Sequence, residues 1–147
     1  MKVNLTILLL SAIITQNSIF AEQTDWNQWR GSNRDAVVTG ETWPNDLKAS
    51  HFALKWNVKM GSSYSGPIMD GKTIYVTESS GDNEVVRALD RTTGKEIWRH
   101  TWGGKMRVPF FAAKNGSWIR STPALANGKL FVAGMRDHLL CIDTKTG

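Results

Sequence analysis

The chain has 147 residues, of which 41% are apolar and 21% charged; that is enough apolar material for a packed core and too much for a disordered segment. Its formal charge of +5 is scattered over Lys48, Lys55, Lys59, Lys72, Arg87, Arg91, Lys95 and Arg99, among others, with no basic stripe of the kind that follows a phosphate backbone, which argues against a nucleic-acid partner. The single cysteine, Cys141, excludes an internal disulfide framework and lies too late in the chain to carry a lipid anchor.

In chain order, Lys2, the apolar run Leu5 to Ile14 and the small residue Ala21 have the layout of a secretory signal peptide over residues 1–21. The apolar core falls well short of the roughly 20 residues that cross a bilayer, and Thr15, Gln16, Asn17 and Ser18 follow it, so no membrane span is expected. Removing residues 1–21 from 147 leaves 126, and losing Lys2 takes the charge from +5 to +4. A periplasmic or secreted protein is expected. Residues 22–53 read as an N-terminal arm. Its Trp26 and Trp29, within Asp25-Trp26-Asn27-Gln28-Trp29-Arg30-Gly31, either strap the arm onto a sheet or offer platforms to a ligand.

Leu54-Lys55-Trp56-Asn57-Val58 reads as a strand over 54–60. Beyond it the chain repeats: Ser65 to Val76 lines up with Ser121 to Val132 at an offset of 56, and Ala88 to Gly94 with Cys141 to Gly147 at an offset of 53. Periods of this size mark propeller blades or solenoids. Asp70-Gly71 and Asn127-Gly128, taken as one repeat position, accept the positive φ of a tight hairpin turn. Thr73 to Thr77 and Lys129 to Ala133 alternate in the manner of strands, and no mature segment sustains a helical apolar period. Val85 to Leu89 and Glu96 to His100 supply two further strands. The fold is therefore expected to be all-β with almost no helix: a four-stranded antiparallel blade over 65–100 and a partial blade over 121–147. So small a sheet is stable only when stacked on neighbours.

The run Ala88-Leu89-Asp90-Arg91-Thr92-Thr93-Gly94-Lys95-Glu96-Ile97-Trp98 resembles the tryptophan-docking motif of the pyrroloquinoline quinone repeat family. The resemblance implies a β-propeller, of about eight blades in all, in which Trp98 packs between blades on alanine and glycine while Asp90 ties down the turn; Ala88, Thr93 and Gly94 hold the motif's other fixed places. A second copy keeps Asp143, Thr146 and Gly147 and has Cys141 where the motif favours alanine. Its tryptophan would fall four residues past Gly147, so the chain is read as a piece of a longer propeller. Trp56 matches the motif's tryptophan, but Lys48 and Phe52 stand where its Asp and Gly belong. Such an unaccompanied outer strand is expected to close the last blade of the ring. These motif residues are structural, and no catalytic residue is assigned.

Candidate binding residues lie elsewhere. Trp98 to Ser121 spans 23 residues where Trp56 to Ser65 spans 9, and long loops on a rigid scaffold carry function. Met106, Arg107, Pro109, Phe110, Phe111, Trp118 and Arg120 form an aromatic and cationic set that either binds a ligand or caps the blade edge. Arg136, Asp137 and His138 share a turn and could hold an acid–base pair. Asp82, Asn83 and Glu84 are oxygen donors in a row but lack the spacing of a calcium loop, and read as a solvated turn. His51, His100 and His138 show no metal-ligand spacing and read as surface or turn residues.

The function expected is that of an exported, non-catalytic scaffold for binding or assembly, with a protein or carbohydrate partner and with no cofactor or metal. The alternative implied by the resemblance is part of a quinone-dependent alcohol or sugar dehydrogenase, with pyrroloquinoline quinone and calcium in the full-length protein. Open strand edges predict that the chain alone self-associates.

Overall fold

The computed structural model describes residues 25–38, 44–104 and 106–147, so the expected signal segment lies outside the described residues. Strands β1 (Ile68–Asp70), β2 (Thr73–Ser80), β3 (Asn83–Asp90) and β4 (Glu96–Gly103) make one antiparallel sheet in chain order, and β5 (Ala124–Ala126), β6 (Lys129–Ala133) and β7 (Leu139–Asp143) make a second. The helical content among the described residues is two short 3₁₀ turns, Ala49–His51 and Phe110–Asn115. The protein is all-β, in two successive meanders.

The tight hairpins correct one detail of the repeat. Asp70 pairs with Thr73 and Ala126 with Lys129, so the turn residues are Gly71-Lys72 and Asn127-Gly128. In the first turn only Gly71 has positive φ, 55°, the type II′ pattern; in the second Asn127 and Gly128 are both positive, 51° and 72°, the type I′ pattern. Asp70-Gly71 is therefore one residue out of step with Asn127-Gly128. Glycine opens one turn and closes the other.

Register decides which residues meet between the sheets. Tyr75, Ala88 and Trp98 are cross-strand partners, as are Val86 with His100 and Glu84 with Trp102, and successive residues of a strand point to opposite faces. One face of the first sheet thus presents Tyr75, Ala88, Trp98 and Trp102, which pack with Leu130, Val132 and Ile142 of the second sheet and with Ile119 from the connection. The core lies between the blades. The other face carries Glu78, Arg87 and Glu96, where the Arg87 guanidinium meets Glu96 at 2.7 Å and donates to the Lys59 carbonyl at 3.1 Å. Glu78 accepts the Gly61 N–H at 2.6 Å. Residues 59–61 are thereby fastened to the first blade, although 54–60 are assigned to no strand.

Candidate functional site

The two ends of the blades are distinguished by topology. The β1–β2, β3–β4 and β5–β6 turns lie at one end; the β2–β3 turn, the 104–123 connection and the β6–β7 turn lie at the other.

At the first end, two docking turns have the same geometry. The Asp90 carboxylate accepts the N–H groups of Thr92 and Thr93 at 3.0 and 2.7 Å and the Thr93 hydroxyl at 2.8 Å. Asp143 accepts from Lys145 N–H, Thr146 N–H and the Thr146 hydroxyl at 3.0, 3.1 and 3.2 Å. The hydroxyl and N–H groups of Thr93 hold the Asp90 carboxyl below its ordinary range. The Lys129 ammonium, aided by the backbone of Lys145 and Thr146, takes Asp143 to about 2. Each turn delivers a glycine at φ 71° (Gly94) or 73° (Gly147), and an indole lies on each. A Cβ built on Gly94 would come within 2.7 Å of the Trp56 ring, and one on Gly147 within 2.8 Å of the Trp98 ring. The Trp56 N–H donates to the Arg91 carbonyl and the Trp98 N–H to the Thr144 carbonyl, both at 2.9 Å. A tryptophan therefore seats on the glycine of the next docking turn along the chain, and Ala88, fully buried, leaves room under Trp98. Cys141, at the corresponding place in the second sheet, is an exposed free thiol.

The other end carries a tie that the sequence does not announce. Glu84, expected in a solvated turn, is 1% exposed. It starts the inward face of β3 directly opposite Trp102, whose indole N–H donates to it at 2.8 Å. The Met135 N–H, from the β6–β7 turn of the second sheet, reaches both carboxylate oxygens at 3.1 Å. Gly104 and Gly134 press so closely on this carboxylate that side chains there would overlap it. Asn83 stays exposed, and the Asp82 carbonyl accepts the Gly104 N–H at 3.1 Å. Among the described residues no group of His, Cys, Asp and Glu is placed to hold a metal ion.

Around Glu84 opens a polar cleft of about 230 Å³, lined by Ser62, Ser79, Asn83, Glu84, Ser117 and Trp118. The long connection forms one wall. Trp118 lies over its own Gly116 and 5.3 Å from the Tyr64 ring, and the Arg120 guanidinium sits 4.9 Å from that ring on its way to the Asn115 and Gly116 carbonyls. The Tyr64 hydroxyl donates to Asn115 at 3.0 Å. Trp118 and Arg120 thus brace the loop. Phe110 and Phe111 do not cap the blade edge: they are 92% and 71% exposed and touch each other edge to face at 5.7 Å. Met106, Arg107 and Pro109 are exposed beside them.

The remaining candidates separate. Arg136, Asp137 and His138 are all exposed, and Asp137 takes φ 58° to complete the β6–β7 turn. His51 is exposed in the first 3₁₀ turn. His100 is neither a turn nor a surface residue; it lies half-buried in β4 with its Nδ1 3.1 Å from the Gly147 carbonyl. The arm also acquires a mechanism. Trp26 pairs antiparallel with Met69 of β1, Asn27 accepts the Leu125 N–H of β5 at 2.8 Å, and the Asp25 carboxylate accepts the Gly71 N–H at 2.9 Å. Residues 25–27 therefore stitch the first strands of both sheets. Trp26 lies over Gly31, while Trp29 is 63% exposed with Arg30 across its ring at 5.5 Å.

Comparison with known proteins places this arrangement. The family model described as outer membrane protein assembly factor BamB matches residues 82–147, the stretch from the β2–β3 turn through the second docking turn. The chain is also similar to a 1-butanol dehydrogenase (cytochrome c) of Thauera butanivorans, 28% identical over 148 aligned positions that cover 94% of this chain and 20% of the enzyme. The chain spans about a fifth of the length of that curated relative.

Proposed function

We propose that the chain, whose residues 82–147 match a pyrroloquinoline-quinone-type repeat family model, is an exported, non-catalytic binding propeller whose long inter-blade connection meets the partner. The observation that carries this reading is the Phe110–Phe111 pair, held out in solvent on a loop whose base is braced by Tyr64, Trp118 and Arg120. An exposed aromatic pair on a rigid support is what a binding surface needs, because little conformational entropy is left to lose on association. The tryptophans and acids of the docking turns are engaged in holding blades together, and Glu84 is engaged in the same way at the other end. In the complete ring, the 54–60 segment with its docked Trp56 is proposed to complete the last blade.

The butanol dehydrogenase supports a second reading, a quinone-dependent dehydrogenase. The described residues do not fit its groups. Pyrroloquinoline quinone is a planar polycarboxylate, whereas the cleft at the loop end is lined by a carboxylate, hydroxyls and an amide, with no cation among its lining residues. Calcium needs several converging oxygen ligands, and Glu84 has turned both of its oxygens to N–H donors instead. The test is to supply the quinone and calcium to the intact protein and follow dye reduction with alcohols and aldoses. No rate above background is expected; turnover would overturn the non-catalytic reading.

A further inference from the structure

Phe110 and Phe111 begin the 3₁₀ turn Phe110–Asn115, and their rings pack on each other instead of on the protein. Two adjacent phenylalanines left in water forgo a large apolar transfer free energy. Local looseness does not account for it, since the turn is pinned at its C-terminal end by the Tyr64 hydroxyl and the Arg120 guanidinium on the Asn115 carbonyl. The charges within the connection that carries the pair are all of one sign. Residues 104–120 include Lys105, Arg107, Lys114 and Arg120 and contain neither aspartate nor glutamate. Arg107 and Lys114 are exposed within a few residues of the rings.

We propose that this knob docks the protein on an anionic lipid surface, with Phe110 and Phe111 entering the boundary between headgroups and acyl chains and Arg107 and Lys114 lying against lipid phosphates. Aromatic tips flanked by basic side chains are the composition of interfacial anchors, in which apolar burial and attraction to anionic lipid add. The rings stand out in solvent, and every charged residue of their segment is basic. A bilayer closes around such a shape and supplies the opposite charge without any matching pocket. Neither a membrane span nor a covalent anchor is involved, and among the described residues no helix is long and apolar enough to cross a bilayer. The inference names the partner of the non-catalytic binding reading and rests on it.

The test is sedimentation of the intact protein with vesicles of phosphatidylcholine alone and of phosphatidylcholine mixed with phosphatidylglycerol. Binding is expected to the mixed vesicles and to weaken with added salt. Arg107→Ser and Lys114→Ser should each weaken it about fivefold, and the F110S/F111S double variant roughly tenfold or more. Any contribution of residues 1–21 is common to parent and variants, so the differences report the loop. Thermal melts of the variants should match the parent, which separates lost docking from lost folding. Equal binding to both vesicle types, equal binding by the double variant, or no binding at all would each overturn the proposal. Failure of the non-catalytic reading would show separately, as quinone-dependent turnover.

Discussion

The two ends of the blades put similar residues to opposite uses. At the docking-turn end, Trp56 and Trp98 lie on bare glycines and donate to backbone carbonyls at the same 2.9 Å, while Asp90 and Asp143 spend their oxygens on the turns beneath. At the loop end, Trp118 and Arg120 brace a connection that then leaves Phe110 and Phe111 largely in solvent. The lesson is that repetition and engagement go together: what recurs at a fixed spacing is absorbed in joining one blade to the next, and what occurs once is left for a partner. Glu84 is the buried exception, a residue without a repeat that nonetheless ties blade to blade, as residues 25–27 of the arm also do.

Removing an inter-blade indole should break the first end outright. Trp98→Ala deletes the packing on Gly147, Ala88 and Tyr75 together with the hydrogen bond to Thr144, and is expected to cost about 3–5 kcal/mol in denaturant unfolding. A loss below about 1 kcal/mol, within reach of ordinary surface substitutions, would mean that the docking is not what joins the blades.

Gly94→Ala sharpens the same point, because its effect has two separable parts. The residue must hold φ 71°, costing about 1–2 kcal/mol for an L side chain, and its Cβ would collide with the Trp56 ring, adding roughly 1–3 kcal/mol of overpacking. Gly81→Ala is the control. It has φ 60° but open space where the Cβ would go, so it should show the first part alone. Equal losses in the two variants would remove the Trp56 contact from the account.

Trp102→Phe probes the exception. It keeps an aromatic ring between the blades but takes away the N–H that reaches Glu84, leaving a buried carboxylate short of one donor, together with part of the indole's buried volume; about 1–3 kcal/mol is expected in unfolding curves from the lost donor, with a further cost from the space left in the core. An unchanged midpoint would place Glu84 back among the solvated turn residues.

That exception also shows where the sequence runs out. The docking turns are legible because Asp, Thr, Gly and Trp recur at fixed spacing and each does a job that few other residues can do. Glu84 is not, because it follows Asp82-Asn83 at a hairpin and local chemistry says turn; only the register with Trp102 and the approach of Met135 from the second sheet make it buried. β3 is buried from Glu84 to Leu89 on both faces, so the alternation that would have flagged an inward acid is erased. Phe110 and Phe111 were legible as a candidate surface, but the choice between capping and presentation depends on where the braced turn points, which no periodicity encodes. The arm was legible as a strap or a ligand platform built on Trp26 and Trp29, but not in the contacts that hold it, since Asp25 and Asn27 act on Gly71 and Leu125, far along the chain.

A milder perturbation of the docking-turn end comes from pH. Asp143, Asp90 and Glu96 all have carboxyls held below their ordinary values in the fold, Asp143 at about 2 through Lys129, Asp90 through Thr93, and Glu96 through Arg99 and Arg87. The unfolded chain then binds protons more readily than the folded one. The stabilisation is complete above the unfolded carboxylate range near pH 4 and is lost as pH falls through the folded values. Thermal midpoints should be level above about pH 5 and decline between about 4 and 2. Asp143→Asn keeps an oxygen for the Lys145 and Thr146 N–H groups and loses the Lys129 pairing, so its decline should be shallower. An Asp143→Asn curve as steep as the parent's would assign the acid sensitivity to other carboxyls.

Phe110→Ser should do almost nothing to stability, and that near-zero is what the comparison most needs. At 92% exposure the ring meets Phe111 edge to face and is otherwise open to solvent among the described residues, so the variant should unfold within about 0.5 kcal/mol of the parent. Trp118→Ala, in the same loop, removes the ring that lies against Gly116 and Tyr64 and should cost clearly more. The pair of measurements divides the connection into a braced base and a presented tip. If Phe110→Ser cost as much as Trp118→Ala, the tip would be part of the packing, and the loop end would differ from the docking-turn end only in lacking a repeat.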